Sequence, residues 1–189
     1  MGFYSQDEMK TLGLKSYGSN VLISDKASIY SPATIEIGNN VRIDDFCILS
    51  GKIVLGNFIH IAAYTAFYGG EAGITVKDFS NFSSRVAVYA VSDDYSGETM
   101  TNPMVPDKYK NVEQRPVFIG KHCIFGCGSI ILPGVTIEEG ASFGAMSLIR
   151  ESCAGWAIYV GAPCKMIKER SNKLLLLETK FRADMKGVF

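Results

Sequence analysis

Residues that could bind a metal or act as a nucleophile are few in this chain of 189 residues, which has two histidines and five cysteines. Cys123 and Cys127 have the spacing of half a zinc clip, but no second cysteine pair accompanies them. A zinc site built from imidazoles needs three histidines, more than the chain contains. We therefore expect no metal, and the odd number of cysteines indicates reduced thiols rather than a disulfide framework.

Charge and composition exclude several classes of partner. Nineteen basic residues balance nineteen acidic ones, so no net field favours nucleic acid or an anionic membrane surface. The first residues, MGFYSQDEMK, lack the basic and apolar regions of a signal peptide, and nowhere do about 18 apolar residues run together as a membrane span requires. We expect a cytoplasmic protein with one domain, residues 1–189, that acts on a small molecule.

Large apolar residues recur every six positions, a period that fits neither a strand nor a helix. One run is Ile37, Ile43, Leu49, Leu55, Ile61 and Phe67, and a second is Ile119, Phe125, Ile131, Ile137, Phe143 and Ile149. Between the runs, YGGEAGI inserts three extra residues as a small bulge, and the phase resumes through Val76, Phe82 and Val88.

Each hexad indicates one short strand followed by a tight corner. The large residue, here called the anchor, points inward, and the small residue after it, often Gly, tolerates a strained corner. Three such hexads close one triangular coil. The sequence therefore predicts a mainly β protein, a parallel β-helix over about residues 20–165.

Three segments depart from the period. Residues 92–116 form an excursion of 25 residues, and so long a loop in a compact domain is more often functional than decorative. Ser5 and Glu8 fit a capping box for a short helix ending near Gly13. A C-terminal helix over about 166–186 is indicated by apolar residues on one helical face, namely Leu174, Leu177, Phe181 and Met185.

Aromatic residues repeat at the position three after an anchor, which should face outward: Phe46, Phe58, Tyr64 and Phe79. A row of exposed aromatic rings makes an apolar patch, so we expect a neighbouring copy of the chain to cover it. Separate surface aromatics are the alternative.

The two hexad runs, the excursion after SDDYSG, the segment IGKHCIFGCGSIILPGVTIEEGASFGAMSLI and the ending VGAPCKMIKER resemble the hexapeptide-repeat acyltransferases. The similarity covers about residues 20–170. The most similar branch modifies sugars: galactoside and maltose O-acetyltransferases, and N-acyltransferases of nucleotide-linked amino sugars for surface polysaccharides such as lipopolysaccharide. The resemblance implies a left-handed β-helix, a homotrimer, and acetyl-CoA or another acyl-CoA bound between subunits. A purely structural solenoid would leave the excursion and the VGAPCK ending unexplained.

The resemblance also implies a path for CoA. The pantetheine arm would run along the C-terminal coils beside small corner residues, here Gly126, Gly128, Gly144 and Ala145. Tight corners require glycine even without a ligand, which is the alternative explanation. The family ending VxGxPAK is present with Cys164 in place of Ala. Lys165, Lys168 and Arg170 would pair with the CoA phosphates, or form a solvated basic helix end.

The acceptor nucleophile decides which residue must take a proton. A sugar hydroxyl needs a general base, most often His, whereas an amine is partly unprotonated near neutral pH and a carboxylate suffices. The O-acetyltransferases have their His where the excursion begins, and this chain has Ser92-Asp93-Asp94 there. The departure favours N-acylation of a nucleotide-linked amino-deoxysugar, with Asp94, or else Asp93, as proton acceptor. Sugar O-acetylation is the alternative, and an Asx turn is the structural alternative for both aspartates.

Other candidate site residues follow from the same resemblance. Ser84 in NFSSR is a secondary catalytic candidate, and Glu71 in GGEAG could hold substrate or water together with Asp93 and Tyr95. His60 resembles a His that some amino-sugar acetyltransferases place near the acyl group, so it is a candidate catalytic or acyl-contacting residue. We expect His122 at the surface or an interface.

Overall fold

Successive hexads fold into the turns of a β-solenoid, about seven in all. The computed structural model describes residues 2–185. In chain order the helices and strands are α1 (Gln6–Thr11), β1 (Ser16–Tyr17), β2 (Val21–Ile23), β3 (Ser28–Tyr30), β4 (Ile35–Ile37), β5 (Val41–Ile43), β6 (Ile48–Leu55), β7 (Ile59–Ile61), β8 (Ala66–Val76), β9 (Asn81–Phe82), β10 (Ala87–Tyr89), β11 (Val91–Ser92), β12 (Glu113–Gln114), β13 (Val117–Ile119), β14 (Ile124–Phe125), β15 (Ile130–Ile131), β16 (Thr136–Ile137), β17 (Ser142–Phe143), β18 (Leu148–Ile149), β19 (Ala157–Val160), β20 (Lys165–Glu169) and α2 (Leu174–Met185).

Three strands make one turn, and each strand pairs in parallel with the strand one turn later. The first face contains β1, β4, the second halves of β6 and β8, β13 and β16. The second face runs from β2 through β5, β7, β9, β14 and β17 to β19. The third face contains β3, the first halves of β6 and β8, β10, β15 and β18. The predicted bulge GGEAG lies within β8, where the register with β6 shifts.

We name the three edges of this prism by what lies on them. The helix-covered edge joins the first face to the second and carries Phe58 and Phe79. The open edge joins the second face to the third and carries Phe46 and Tyr64. The loop edge joins the third face to the first, and residues 92–116 leave the solenoid there.

The predicted anchors form the core. Every one of them is buried, none with more than 4% of its surface exposed. On the second face the anchors from Phe82 onward are aromatic and stack along the solenoid: ring centroids are 4.8 Å apart for Phe82 and Phe125 and 5.1 Å for Phe125 and Phe143. Phe67 meets Phe82 edge-on at 4.9 Å, which joins this stack to the third face. Stacked and edge-on rings are both favoured arrangements, so the aromatic core is continuous.

The strained corner residue lies two positions later than the sequence analysis predicts. Left-handed backbone occurs three residues after the anchor, as in Phe46 with φ of 60° and Tyr64 with φ of 64°. Glycines directly after an anchor serve a different purpose. A Cβ on Gly38 would lie 2.4 Å from the carbonyl oxygen of Gly56 in the next turn. Glycine is therefore required there because successive turns approach too closely for a side chain.

Both ends of the chain carry a helix. The predicted capping box is confirmed, since the Ser5 backbone N donates to Glu8 Oε2 at 2.7 Å and the Glu8 backbone N donates to Ser5 Oγ at 3.4 Å. The C-terminal helix begins at Leu174 rather than near 166. Residues 165–169 are instead β20, antiparallel to β19. Strand β19 is the last full strand and has a free edge. Residues 165–169 form backbone hydrogen bonds with this edge and are therefore a strand, despite their helical pattern. The predicted end at 186 lies outside the described residues.

Helix α2 covers two of the four outward aromatic residues. Phe58 and Phe79 stack at 4.9 Å, and the Phe181 ring lies edge-on to them at 5.1 and 6.1 Å. Phe46 and Tyr64 stack at 5.0 Å but remain 47% and 55% exposed. The expectation that a neighbouring copy covers all four was therefore wrong for the first pair, because the chain covers it itself. Neither helix within residues 2–185 has the length and apolar character needed to cross a membrane.

Truncating the centre of the aromatic stack should cost much of the stability. We predict that Phe82→Ala lowers the free energy of unfolding by about 3–5 kcal/mol, because Phe82 is fully buried and contacts both Phe67 and Phe125. Urea denaturation followed by circular dichroism measures this. Phe118→Ala is the matched control, since Phe118 is 39% exposed on β13 and its loss should cost less than about 1 kcal/mol. Equal losses for the two variants would contradict the assigned core.

Candidate active site

The excursion is an ordered loop with a closed base. Its first strand β11 pairs antiparallel with its last strand β12, with Ser92 opposite Glu113. A short 3-10 turn at Asp107–Tyr109 and a bridge between Met100 and Lys110 fold the segment between them. The loop therefore presents its first residues, 92–95, from a fixed point at the loop edge.

Asp94 forms the turn that opens this loop. Its Oδ1 accepts a hydrogen bond from the Ser96 backbone N at 2.8 Å, and its Oδ2 accepts one from Thr99 Oγ1 at 2.7 Å. The Asx turn named as the structural alternative is thus present. The hydrogen bonds from Ser96 and then Thr99 lower the pKa of Asp94 to about 2. Asp94 is therefore ionised near neutral pH and retains further lone pairs for a substrate.

A cavity of about 470 Å³ lies beside the start of the loop. It is lined by Tyr68, Tyr89, Val91, Ser92, Asp93, Tyr95, Val112, Leu132 and Pro133. The structure thus brings Asp93 and Tyr95, both predicted substrate-binding residues, to one cavity. Asp94 lies between them in sequence, with its carboxylate bonded within the loop.

The sequence analysis missed the tyrosine pair in this cavity. Tyr68 on β8 and Tyr89 on β10 occupy the same position one turn apart, and their rings stack at 5.0 Å with an angle of 17°. Burial raises the pKa of Tyr89, and the neighbouring Tyr68 and Tyr95 raise it further, so its phenol remains a hydrogen-bond donor. The available signal was two tyrosines directly after the anchors Phe67 and Val88, where most hexads have a small residue.

Glu71 lies outside the cavity lining, and its backbone helps to hold the loop. The Oε1 of Gln114 accepts hydrogen bonds from the backbone N of Glu71 at 2.8 Å and of Ala72 at 3.2 Å. Gln114 therefore fixes the returning strand β12 on the bulge of β8. The Glu71 residue itself is exposed.

Ser84 lies at a different edge from Asp94. It is half-buried at the open edge, where its backbone carbonyl accepts a hydrogen bond from the Gly128 backbone N at 3.1 Å. Its hydroxyl has no hydrogen-bond partner within residues 2–185. Strand β10 crosses the whole third face between the two residues. One chain therefore does not bring Ser84 and Asp94 together.

His60 is held in a polar network on the second face. Its Nε2 lies 2.9 Å from Asp44 Oδ2 and its Nδ1 lies 3.2 Å from Asn81 Oδ1, while Arg42 Nε donates to Asp44 Oδ1 at 2.7 Å. Desolvation on its own would raise the pKa of Asp44, but the partners His60 and Arg42 outweigh it and lower that pKa. Both ring nitrogens of His60 are thus engaged by side chains of the same chain.

His122 and Arg170 both support the C-terminal helix. The Nε2 of His122 lies 2.6 Å from Glu178 Oε2, and the residue is buried under α2 rather than exposed at the surface. The alternative expectation, an interface with another copy, stays a prediction. One terminal nitrogen of Arg170 donates to the carbonyls of His122 at 2.7 Å and Gly140 at 2.9 Å. Arg170 is therefore committed to holding the chain segment before α2 against the solenoid.

The small residues predicted to line the CoA path all lie on the open edge: Gly126, Gly128, Gly144 and Ala145. Stacking of turns already requires one of them to be glycine, because a Cβ on Gly126 would lie 2.4 Å from the Ala145 backbone N. Gly128 occupies the left-handed corner, with a φ of +72°. Lys165 and Lys168 are exposed on β20, and Lys165 borders a second cavity of about 240 Å³ together with Arg150.

Three of the five cysteines are buried. Burial raises the pKa of Cys47 to about 11 and of both Cys123 and Cys153 to about 12, so these thiols stay protonated. Residues 2–185 contain no group of three His, Cys, Asp or Glu side chains placed to hold a metal ion.

Several known proteins are similar to this chain in sequence or structure. No family model matches it. A dTDP-4-amino-4,6-dideoxy-D-glucose acyltransferase of Escherichia coli is 48% identical over 190 residues, which cover 99% of this chain and 98% of that protein. AntD, an N-acyltransferase from Bacillus cereus solved with dTDP and 3-hydroxybutyryl-CoA, is 56% identical with a TM-score of 0.95, covering 97% of this chain and 98% of AntD. Galactoside acetyltransferase with coenzyme A, 18% identical, has a TM-score of 0.61 and covers 89% of this chain and 73% of its own, which shows a shared fold alone.

Removing the imidazole of His60 should weaken the fold most clearly near neutral pH. The lowered pKa of Asp44 means that its ionised form stabilises the fold above its unfolded pKa of about 3.9. This contribution is lost as the pH falls through the lower folded value. His60→Ala removes one partner of this carboxylate, so we predict a loss of about 1–3 kcal/mol at pH 7 and an acid-unfolding midpoint at higher pH. Urea denaturation and an acid titration by circular dichroism measure the two effects.

Lys15→Ala is the control for this prediction, because it removes an exposed ion pair with Glu36 and should change stability by less than about 0.5 kcal/mol. A His60→Ala protein of unchanged stability with turnover reduced more than about 100-fold would show that His60 is catalytic after all.

Proposed function

The chain belongs to the dTDP-amino-sugar N-acyltransferases, and on this premise we propose that it acylates the 4-amine of dTDP-4-amino-4,6-dideoxy-D-glucose with an acyl-CoA. The observation that carries the proposal is the 48% identity over 99% of the chain to an enzyme named for that sugar. AntD, which binds dTDP together with 3-hydroxybutyryl-CoA, supports the same pair of substrates. The product would serve surface polysaccharide synthesis in the cytoplasm, where acyl-CoA is available.

The reaction replaces a thioester by an amide. The lone pair of the sugar amine attacks the thioester carbonyl, the new C–N bond forms, and the C–S bond then breaks. CoA leaves as a thiolate, and the proton given up by the amine ends on its sulfur. The enzyme must therefore orient the amine, stabilise the oxyanion and carry one proton.

Asp94 is the residue that we assign to the amine. Its carboxylate is ionised and anchored at the start of the loop. A carboxylate with a pKa of about 2 accepts a hydrogen bond readily but holds a proton only briefly. Asp94 would thus orient the neutral amine and relay its proton to the leaving sulfur. Solved AntD structures include D94N and S84A variants, and this chain has the same residue types at 94 and 84.

A complete site requires a second copy of the chain. Ser84 on the open edge would donate its hydroxyl to the thioester oxygen, while Asp94 projects from the loop edge. Packing the loop edge of one copy against the open edge of the next would bring the two residues together. Three copies arranged in this way would form the homotrimer of left-handed β-helices that the family resemblance implies. The exposed Phe46 and Tyr64 stack, also on the open edge, would then be covered.

CoA would lie along the same open edge. The edge carries small residues beside Ser84, so the pantetheine arm can approach the backbone there. These residues are Gly126, Gly128, Gly144 and Ala145. Lys165 and Lys168 are exposed at the C-terminal end and are free to meet phosphates. One terminal nitrogen of Arg170 is already bonded to two backbone carbonyls, so we assign the phosphates to the two lysines first.

The acceptor can be tested by offering a panel of sugars to the purified enzyme. We predict that acetyl-CoA or 3-hydroxybutyryl-CoA is consumed with dTDP-4-amino-4,6-dideoxy-D-glucose, whereas galactosides and maltose give at least about 100-fold lower kcat/KM, because the site lacks a base for a hydroxyl. Release of free thiol measures turnover. Reaction with the hydroxyl acceptors alone would establish O-acetylation and reject the proposal.

The role of Asp94 can be separated from its role in folding the loop. Asp94→Asn should lower kcat by about 100-fold or more with little change in the KM for acyl-CoA, since the proton relay is lost. Thr99→Val is the matched control, because it removes a loop hydrogen bond to Asp94 while leaving the carboxylate in place. It should cost less than about fivefold. Equal losses in both variants would make Asp94 a loop-forming residue only.

A further inference from the structure

We propose that the cavity beside the loop is the subsite for the amino-sugar ring, with the stacked pair of Tyr68 and Tyr89 as its floor. This inference rests on the proposed function and adds the residues that recognise the acceptor. Neither tyrosine belongs to the catalytic constellation described above. Both would determine which sugar is acylated.

The lining of the cavity matches the chemistry of a 6-deoxy-4-amino sugar. In such a sugar an apolar methyl group at C6 lies beside the amine-bearing carbon. The cavity likewise has both kinds of lining residue: Val91, Val112, Leu132 and Pro133 are apolar, and Ser92 and Asp93 are polar. A hexose with a hydroxyl at C6 would bury that hydroxyl against apolar side chains at a cost.

The tyrosine pair supplies a rigid surface for the ring. Tyr68 and Tyr89 are fixed by the parallel register of β8 and β10, so the stack exists before a ligand arrives. A pyranose packs the apolar C–H face of its ring against aromatic side chains. The phenol of Tyr89, protonated because burial raises its pKa, can donate a hydrogen bond to a sugar oxygen.

The order of groups along the substrate indicates that the cavity holds the sugar and not the thymine base. The cavity lining includes Asp93 and Tyr95, the two residues that flank Asp94. If Asp94 meets the amine, the group beside it must be the ring that bears the amine. The thymine base is separated from that ring by a deoxyribose and a diphosphate, and so lies farther along the surface.

Tyr95 stands at the mouth of the cavity with 92% of its surface exposed. An aromatic side chain this exposed contributes nothing to the core. It is placed to cover the sugar when the cavity is filled, and its substitution leaves the fold intact.

The proposal is tested with Tyr68→Ala, Tyr89→Ala and Tyr95→Ala, using Tyr30→Ala as the matched control. Tyr30 occupies the same hexad position on the same face, opposite Ser50, but lies outside the cavity. We expect the KM for the dTDP-amino-sugar to rise about tenfold or more in the three cavity variants. The KM for acyl-CoA and the calorimetric Kd for dTDP alone should change less than about twofold, and Tyr30→Ala should leave all three constants unchanged.

Two results would overturn the proposal. A parallel loss of affinity for dTDP alone would show that the base occupies the cavity, and unchanged KM values in folded variants would show that no part of the acceptor does.

Should the two core-side tyrosine variants fail to fold, Tyr95→Ala and Tyr89→Phe decide the question, since both keep the stack. Absence of turnover in the unmodified enzyme would instead reject the proposed function. In that case the cavity can still be tested by calorimetry. The affinities of the unmodified enzyme and of Tyr95→Ala are measured for the dTDP-amino-sugar and for dTDP alone.

Discussion

Every turn of the solenoid must lie directly on the turn before it, because the backbone hydrogen bonds of one strand are completed only by the strand one turn away. This constraint fixes the inward positions as a continuous core and brings successive corners into contact. It also explains why Gly38 and Gly126 cannot carry a side chain, since the neighbouring backbone lies 2.4 Å from where a Cβ would be. The corner residues with left-handed backbone, such as Phe46 and Tyr64, are free to be large because they project away from the stack.

The loop of residues 92–116 is inserted without interrupting this stacking. Strand β13, which follows the loop, pairs with β8, and β15 pairs with β10, as if residues 92–116 were absent. The loop can therefore hold chemistry while the core below it remains regular. Its base is fixed by the β11 and β12 pair and by Gln114, so its first residues have a defined position relative to the Tyr68 and Tyr89 stack. Ordering a long loop costs conformational entropy, and these few contacts at its ends offset that cost.

The periodic part of the structure could be predicted because each hexad obeys the same local rule. The anchors, the bulge in β8 and the capping box of Ser5 and Glu8 follow from residue type and spacing alone. The non-periodic part could not. Strand β20 forms because β19 offers an open edge, and Phe181 covers Phe58 and Phe79 because α2 folds back on the solenoid. Both depend on contacts between distant segments. The same is true of the stacked Tyr68 and Tyr89, which line a cavity only because residues of the loop complete it.

The hydrogen bonds that shape the loop also constrain the chemistry that it can perform. Ser96 and Thr99 fix the Asp94 carboxylate and in doing so lower its pKa to about 2, which makes it a poor base for a sugar hydroxyl. An amine needs a weaker base than a hydroxyl does. It attacks the thioester carbon while still carrying its protons, and the nitrogen becomes strongly acidic once the C–N bond has formed. A weakly basic carboxylate is sufficient at that later stage. The lowered pKa of Asp94 is thus compatible with the N-acylation that the family relationship shows.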